Sequence, residues 1–344
     1  MNVAQLGLPL TLAVFVAAAI AVLFAGLALT ARAERLAAVT GLGQAVLGAV
    51  FLGAATSLSG TVTSVSAAWA GEAEIAYGNA IGGIAAQTTF LVIADFVYRE
   101  VNLEHAAASE ANLLQGVLLV VLLGLAQVAM FGPGWTLWGV DMASFALVAM
   151  YIFGVRLIAR AHQQPMWRPK QTQHTAAEDS DAPAKPESGE LTRLWLSFGA
   201  LALIVSIAGW AIAETGVALA ERTGISKTLV GNVMTSVVTS MPELVVAIAA
   251  VRRGALTLAV GDILGGNGFD VLFLVLSDIA YRAGSIHVAV SDKQALWLSL
   301  SVLMVGVTLL GLLRRQRHGL GNVGFEGVLV LGLYATGIVL IVLG

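Results

Sequence analysis

About ten stretches of twenty or so mostly apolar residues run through this chain, and no other feature constrains its fold as strongly. They fall near 7–30, 41–68, 75–97, 112–131, 137–159, 194–220, 226–251, 257–280, 294–313 and 323–344. Each is long enough for an α-helix to cross the hydrocarbon core of a bilayer. Only 11% of the 344 residues are charged, against about a quarter in soluble domains. That is too few to coat a water-facing surface, so the expected fold class is an all-α polytopic membrane protein. A formal net charge of -3, scattered along the chain, argues against a nucleic-acid partner. With no cysteine, disulfides, thiolate metal sites and thiol nucleophiles are excluded. The N-terminus lacks a basic region before its apolar run and reads as the first span rather than a signal peptide.

The polar stretch 160–193 divides the chain. It contains Pro165, Pro169, Pro183 and Pro186 and too little apolar surface to fold alone, so it reads as a flexible linker. The expected organisation is a first five-helix repeat over 1–159, the linker, and a second five-helix repeat over 194–344. Lys and Arg collect on one side of the spans. Arg32, Arg35, Arg99, the basic residues around the linker, Arg252, Arg253, Arg314, Arg315 and Arg317 make 14 of 18. By the positive-inside rule that side is cytoplasmic, with the linker on it and both termini outside.

Shifting the chain by 183 residues aligns 41–99 with 224–282 without a gap, and 18 of the 59 positions are identical. Leu, Val and Ala matches carry little weight among apolar helices. Thr56/Thr239, Ser57/Ser240, Gly82/Gly265, Gly83/Gly266, Asp95/Asp278, Tyr98/Tyr281 and Arg99/Arg282 carry more. Five spans per half is an odd number, so the second half enters the membrane upside down. Inverted repeats with interrupted helices mark secondary transporters whose site lies between the repeats near the midplane.

The polar core of the second repeat reads Thr-Ser-Met-Pro-Glu at 239–243, then a Gly- and Asn-rich segment, 261–270, ending in Asp270. Pro242 is expected to break its helix, and the freed carbonyls need partners, for which a bound cation is one candidate. Glu243 and Asp270 are intramembrane acids, which cost at least about 2.5–3.5 kcal/mol each unless protonated or paired. Carboxylates, hydroxyls and carbonyls are hard oxygen ligands suited to Ca²⁺, Na⁺ or H⁺. Asp262, two turns before Asp270, is a further candidate ligand or proton acceptor. Asn267, one turn before Asp270, is a candidate ligand as well, and Glu214 reads as a residue of the outer mouth. Asp95 and Asp278, at matching span ends, read as capping groups or partners of Arg99 and Arg282. Glu72 and Glu74 read as solvated loop residues.

These residues resemble an alpha-repeat of the calcium/cation antiporter superfamily, which includes the sodium/calcium exchangers. The resemblance is specific in 224–282 and extends over the chain in layout. It implies a secondary active cation antiporter with no cofactor beyond the transported cation, and inorganic cations and the lipid bilayer as partners. It also implies a site formed by Glu243, Asp270, Thr239 and Ser240 with Thr56, Ser57 and Gln87. Repeat one departs from the pattern: Ser59 replaces the proline, Gly60 the glutamate, and Ile84 the asparagine. Two carboxylates can neutralise one Ca²⁺, whereas several Na⁺ at once fit less well. That shifts weight from ordinary sodium/calcium exchange toward monovalent cation/proton exchange, while the resemblance keeps sodium/calcium or calcium/proton exchange at an altered site as the expected activity. Monovalent cation/proton exchange, or a non-exchanging sensor or carrier of another solute, stands as the alternative. The five histidines all fall in loops or at their edges, which argues against an intramembrane serine protease and leaves carboxylates to carry any proton. Asp262 and Asp270 share one helix, which argues against the aspartyl type; no enzyme is expected.

Overall fold

The structure is a computed structural model, and it describes residues 6–40, 46–98, 100–170, 172, 190–319 and 323–343. The first half contains α1 (Leu8–Thr40), α2 (Val46–Thr56), α3 (Leu58–Trp69), α4 (Ala73–Val97), α5 (Leu103–Ala107), α6 (Glu110–Met130) and α7 (Met142–Gln163). A two-residue antiparallel hairpin, β1 (Thr136–Leu137) with β2 (Val140–Asp141), joins α6 to α7. The second half contains α8 (Glu190–Thr223), α9 (Lys227–Leu229), a π-helical stretch Val230–Thr235, α10 (Ser236–Thr239) and α11 (Met241–Arg252). It continues with α12 (Leu256–Asp270), α13 (Leu272–Ala280), α14 (Asp292–Arg314) and α15 (Phe325–Leu343).

Among the described residues eight helical stretches are long and apolar enough to cross a bilayer, and the bent pair Lys227–Thr239 and Met241–Arg252 adds a ninth. The remaining expected span is the pair α2 and α3, preceded by residues 41–45 outside the described set. The helices extend into the expected linker, α7 to Gln163 and α8 from Glu190. Residues 173–189, the bulk of that linker, lie outside the described residues. Its beginning is docked: Trp167 N donates to Glu110 Oε2 at 3.0 Å, and Arg315 Nη1 donates to Lys170 O at 2.7 Å.

Helix α4 is enclosed on nearly every side, as its all-round run of small and apolar residues requires. Outer helices instead turn Phe24, Phe153, Leu203 and Leu340 outward, as a lipid-facing surface does. Between helices in lipid no hydrophobic gain is available, so close packing and hydrogen bonds hold the centre. Small residues make that packing possible where α4 crosses the π-helical stretch. A Cβ on Gly82 would lie 2.4 Å from Asn232 O, and one on Gly231 2.9 Å from Ile75 O. The two backbones touch there, at one of the irregular helical turns that often accompany functional sites.

The repeat is visible at the span ends. Asp95 Oδ1 accepts from Leu103 N at 2.6 Å, and Asp278 Oδ1 accepts from Ile286 N at 3.0 Å, the same bond 183 residues on. Asp278 Oδ2 also accepts from Asp141 N and Ser144 Oγ, both at 2.7 Å. Both acids thus accept a hydrogen bond from a backbone amide eight residues on. Arg282 instead lies over the Trp69 ring, 5.8 Å from its centroid, and Arg99 lies outside the described residues.

Two expectations are corrected. Glu72 and Glu74 are not free in solvent: Glu72 pairs with Lys227 Nζ at 2.6 Å, and Glu74 accepts from Ser291 N, Thr228 Oγ1 and Gln294 Nε2. They pin the start of α4 to the second half. Loop position also misled for the histidines, since His287 is fully buried and His105 nearly so. His287 Nε2 lies 3.1 Å from Ser144 Oγ, and its Nδ1 3.5 Å from Tyr77 Oη. Burial lowers the His287 pKa, which favours the neutral ring. The chain folds back over these loops, which local sequence does not reveal.

Candidate functional site

Each half carries the same helix break. Ser57, between α2 and α3, has φ -90° and ψ 13°; Ser240, between α10 and α11, has φ -97° and ψ 2°. Both sit in the sparsely populated bridge region of backbone space, and the second pair bends by 45°. The break expected at Pro242 is present, with the proline in the first turn of α11, and the first half breaks at the matching residue with Ser59 in the proline's place. The carbonyls at the breaks are already served by side chains. Ser59 Oγ donates to Thr239 O at 3.0 Å, and Asn79 Nδ2 donates to Gly60 O at 3.1 Å. Asn79 also donates to Ser64 Oγ at 2.9 Å and accepts from Thr239 Oγ1 at 3.4 Å. Asn79 thus ties the first half's break to the second half's, a role the sequence reading did not give it.

The two breaks face each other across a small cavity. Ser57, Gly60, Asn79, Gly83 and Gln87 line it from the first half, and Thr239, Ser240, Glu243, Asp270 and Phe273 from the second. About 10 Å³ is open to the centre of a water molecule, close to the minimum that holds one water. Its open volume is that of one water-sized guest.

Gln87 and Asp270 occupy equivalent positions in the two halves and touch directly. Gln87 Nε2 donates to Asp270 Oδ2 at 2.6 Å and to Ser240 Oγ at 3.3 Å. Ser57 also faces the Asp270 carboxylate. Several oxygens here are left over. Asp270 Oδ1, Glu243 Oε2, Gln87 Oε1 and Asn267 Oδ1 are buried without a hydrogen-bond partner. A buried oxygen without a donor costs about 1–3 kcal/mol, more if charged, so several together in one region call for a cation or protons.

Of the nine residues expected at the site, the structure brings six to the cavity: Glu243, Asp270, Thr239, Ser240, Ser57 and Gln87. Thr56 turns its hydroxyl back to Leu52 O and Gly53 O of its own helix, both at 3.1 Å. Asn267 lies behind the lining and donates to Thr88 Oγ1 at 3.3 Å and Ile84 O at 3.4 Å. Asp262 also lies outside the lining, with its carboxylate near Glu34 at the linker end. Glu214 is half-buried on α8. Phe273 is the unforeseen member. A Cβ on Gly60 would lie 2.6 Å from Phe273 Cε2, so the ring fills the space beside the first half's counterpart of Glu243. Among the described residues no three His, Asp or Glu converge as a metal group would, which leaves two carboxylates to carry the site's charge.

The family model described as sodium/calcium exchanger protein matches residues 10–159 and 192–343. The chain belongs to the sodium/calcium exchanger family. As a member it is a membrane antiporter for cations, built from many transmembrane helices. The exchanger is 25% identical to CaxA of Alkalimonas amylolytica over 274 residues, 80% of each chain. It superposes on the crystal structure of the H⁺/Ca²⁺ exchanger CAX with TM-score 0.68 at 15% identity, covering 96% of this chain and 81% of that one. The sodium-calcium exchanger NCX_Mj gives TM-score 0.59 at 18% identity, covering 97% of this chain and 99% of that one. These likenesses establish the fold, a helical membrane protein of two inverted repeats with about five spans each.

Proposed function

We propose that this exchanger moves one calcium ion against protons by alternating access, with the ion held between the two repeats. One observation supports this most: among the described residues Glu243 and Asp270 are the only carboxylates lining the small cavity, and each has a buried oxygen without a hydrogen-bond partner. Ca²⁺ takes six to eight oxygens. Glu243, Asp270, Gln87, Ser57 and Ser240 offer seven side-chain oxygens between them, so water need add little. To join them Gln87 turns its amide from Asp270 and presents Oε1. Thr239 holds the break, Asn267 supports the segment leading to Asp270, and Asp262 lies on the approach from the linker end. Thr56 stands one residue from the lining and orients Ser57.

When calcium leaves, each carboxylate takes a proton, which removes the cost of bare charge in the bilayer interior. Several sodium ions at once would need more acceptors than two carboxylates supply, so proton coupling suits this site better than sodium coupling. In the proposed orientation the linker lies in the cytoplasm and both termini outside, because the linker end carries most of the Lys and Arg. The test is labelled calcium uptake into liposomes containing the purified protein. An imposed pH gradient should drive uptake without sodium. Uptake that requires a sodium gradient would replace protons by sodium in this reading. A proton flux driven by sodium or potassium, with no calcium uptake under either gradient, would replace it by monovalent exchange.

A further inference from the structure

A second group of acids lies far from the cavity, at the linker end, and the proposed exchange makes no use of it. Glu104 on α5 is 3% exposed and Glu326 in the first turn of α15 is 1% exposed. Asp95, at the end of α4, completes the group. Asp95 is occupied in capping Leu103 N, and Glu326 Oε1 accepts from Asn102 Nδ2. Glu104 Oε2 and Glu326 Oε2 are both buried with no donor, and Asn102 joins the two residues, accepting from Glu104 N at 3.1 Å and donating to Glu326 Oε1. Two carboxylate oxygens cannot bond each other unless a proton sits between them. A metal is not indicated, since among the described residues no three acids or histidines are arranged to hold one.

We propose that Glu104 and Glu326 form a second proton-binding site, a carboxylic acid–carboxylate pair that shares one proton and fastens α15 to the α4–α6 connection. The titratable and charged groups around it are consistent with this. From α4 comes Asp95, a further negative charge. From α5 comes His105, whose Nδ1 lies 2.7 Å from Arg315 O and whose Nε2 lies 3.1 Å from Thr172 Oγ1. From the end of α14 comes Arg315, which spends Nε and Nη2 on His105 O and Nη1 on Lys170 O. Space for Glu326 is built in: a Cβ on Gly311 of α14 would meet its Cγ at 2.5 Å. Burial first, and then the negative charges of Asp95 and Glu326, raise the Glu104 pKa well above the ordinary carboxylate value. A raised acid contributes its full stability below the ordinary value and loses it as pH climbs through the raised one. Above that, two anions face each other in a dry site and the fastening of α15 loosens.

The experiment follows thermal unfolding of the purified full chain in detergent, from the ordinary carboxylate range up to alkaline pH. Wild type should lose transition temperature as pH rises. Glu104→Gln and Glu326→Gln each put a neutral amide beside the remaining acid, so each should flatten that dependence and exceed wild type at the alkaline end. Variants that keep the wild-type slope, merely displaced downward at every pH, overturn the proposal. Infrared absorption guards against variants that do not fold. A Glu243→Gln/Asp270→Asn double variant, with the cavity acids removed, should still show a protonated carboxyl band at neutral pH. Absence of that band also overturns it.

Discussion

Glu243→Gln should reduce exchange to the level of protein-free liposomes while leaving the fold intact. The substitution keeps volume and hydrogen-bonding atoms and removes one of two charges on the cavity. Removing one partner of a buried charge pair costs about 3–5 kcal/mol. That corresponds to roughly a hundredfold to several thousandfold in calcium affinity. Stability should move the other way or not at all, because a neutral amide is cheaper to bury without a partner than a carboxylate. The pair of measurements is calcium binding by calorimetry and thermal unfolding in the same detergent. Wild-type flux in the variant would remove Glu243 from the site. Lost flux with a collapsed transition temperature would make Glu243 a structural residue instead.

The second large effect is a coupling between Gly60 and Phe273. Restoring an acid at the first half's counterpart of Glu243 requires room that the Phe273 ring occupies, 2.6 Å from where a Cβ would stand. Gly60→Glu alone should therefore be destabilised by about 1–3 kcal/mol from overpacking, and should bind calcium no better than wild type. Phe273→Ala alone should lose about 3–5 kcal/mol to a cavity. Together the two should recover part of the stability and bind calcium more tightly, with a favourable coupling between neighbours of about 0.5–3 kcal/mol. Additive losses in the double variant, with no gain in calcium affinity, would falsify the view that Phe273 stands in the missing acid's place.

The sequence carried the architecture further than the details of the site, for a physical reason. Glycines, the Thr-Ser pair and the span-end aspartates mark places where backbone meets backbone or a cap is needed, and such places tolerate few alternatives. Their constant spacing of 183 residues reappears in the structure as Gln87 touching Asp270 and as Asn267 reaching Ile84. Which way a neighbouring side chain turns is less legible. At Ser57 the helix breaks, and across that break Thr56 faces its own backbone while Ser57 faces the cavity. A one-residue difference of this kind depends on dihedral angles that residue types do not declare. Asn79 and Phe273 were overlooked because an amide and an aromatic ring on apolar helices look like packing. Asn79 shows its role only through three partners far from it in sequence, Gly60, Ser64 and Thr239. The first half's break at Ser57, with no proline beside it, was likewise not legible from residue types.

Two acids on the cavity, rather than more, also decide what a membrane voltage can do to the cycle proposed here. A carrier holding one divalent ion between two carboxylates is electrically neutral, and so is a carrier holding two protons. Neither crossing then moves charge through the field, so a potential worth about 2.3 kcal/mol per elementary charge per 100 mV has nothing to act on. The pH difference alone becomes the driving force, at about 1.4 kcal/mol per proton for each pH unit. With two protons per calcium, a tenfold proton gradient balances a roughly hundredfold calcium gradient. Liposomes clamped at different voltages with a potassium ionophore should show the same calcium flux; a flux that tracks voltage would mean that the ions exchanged do not carry equal charge.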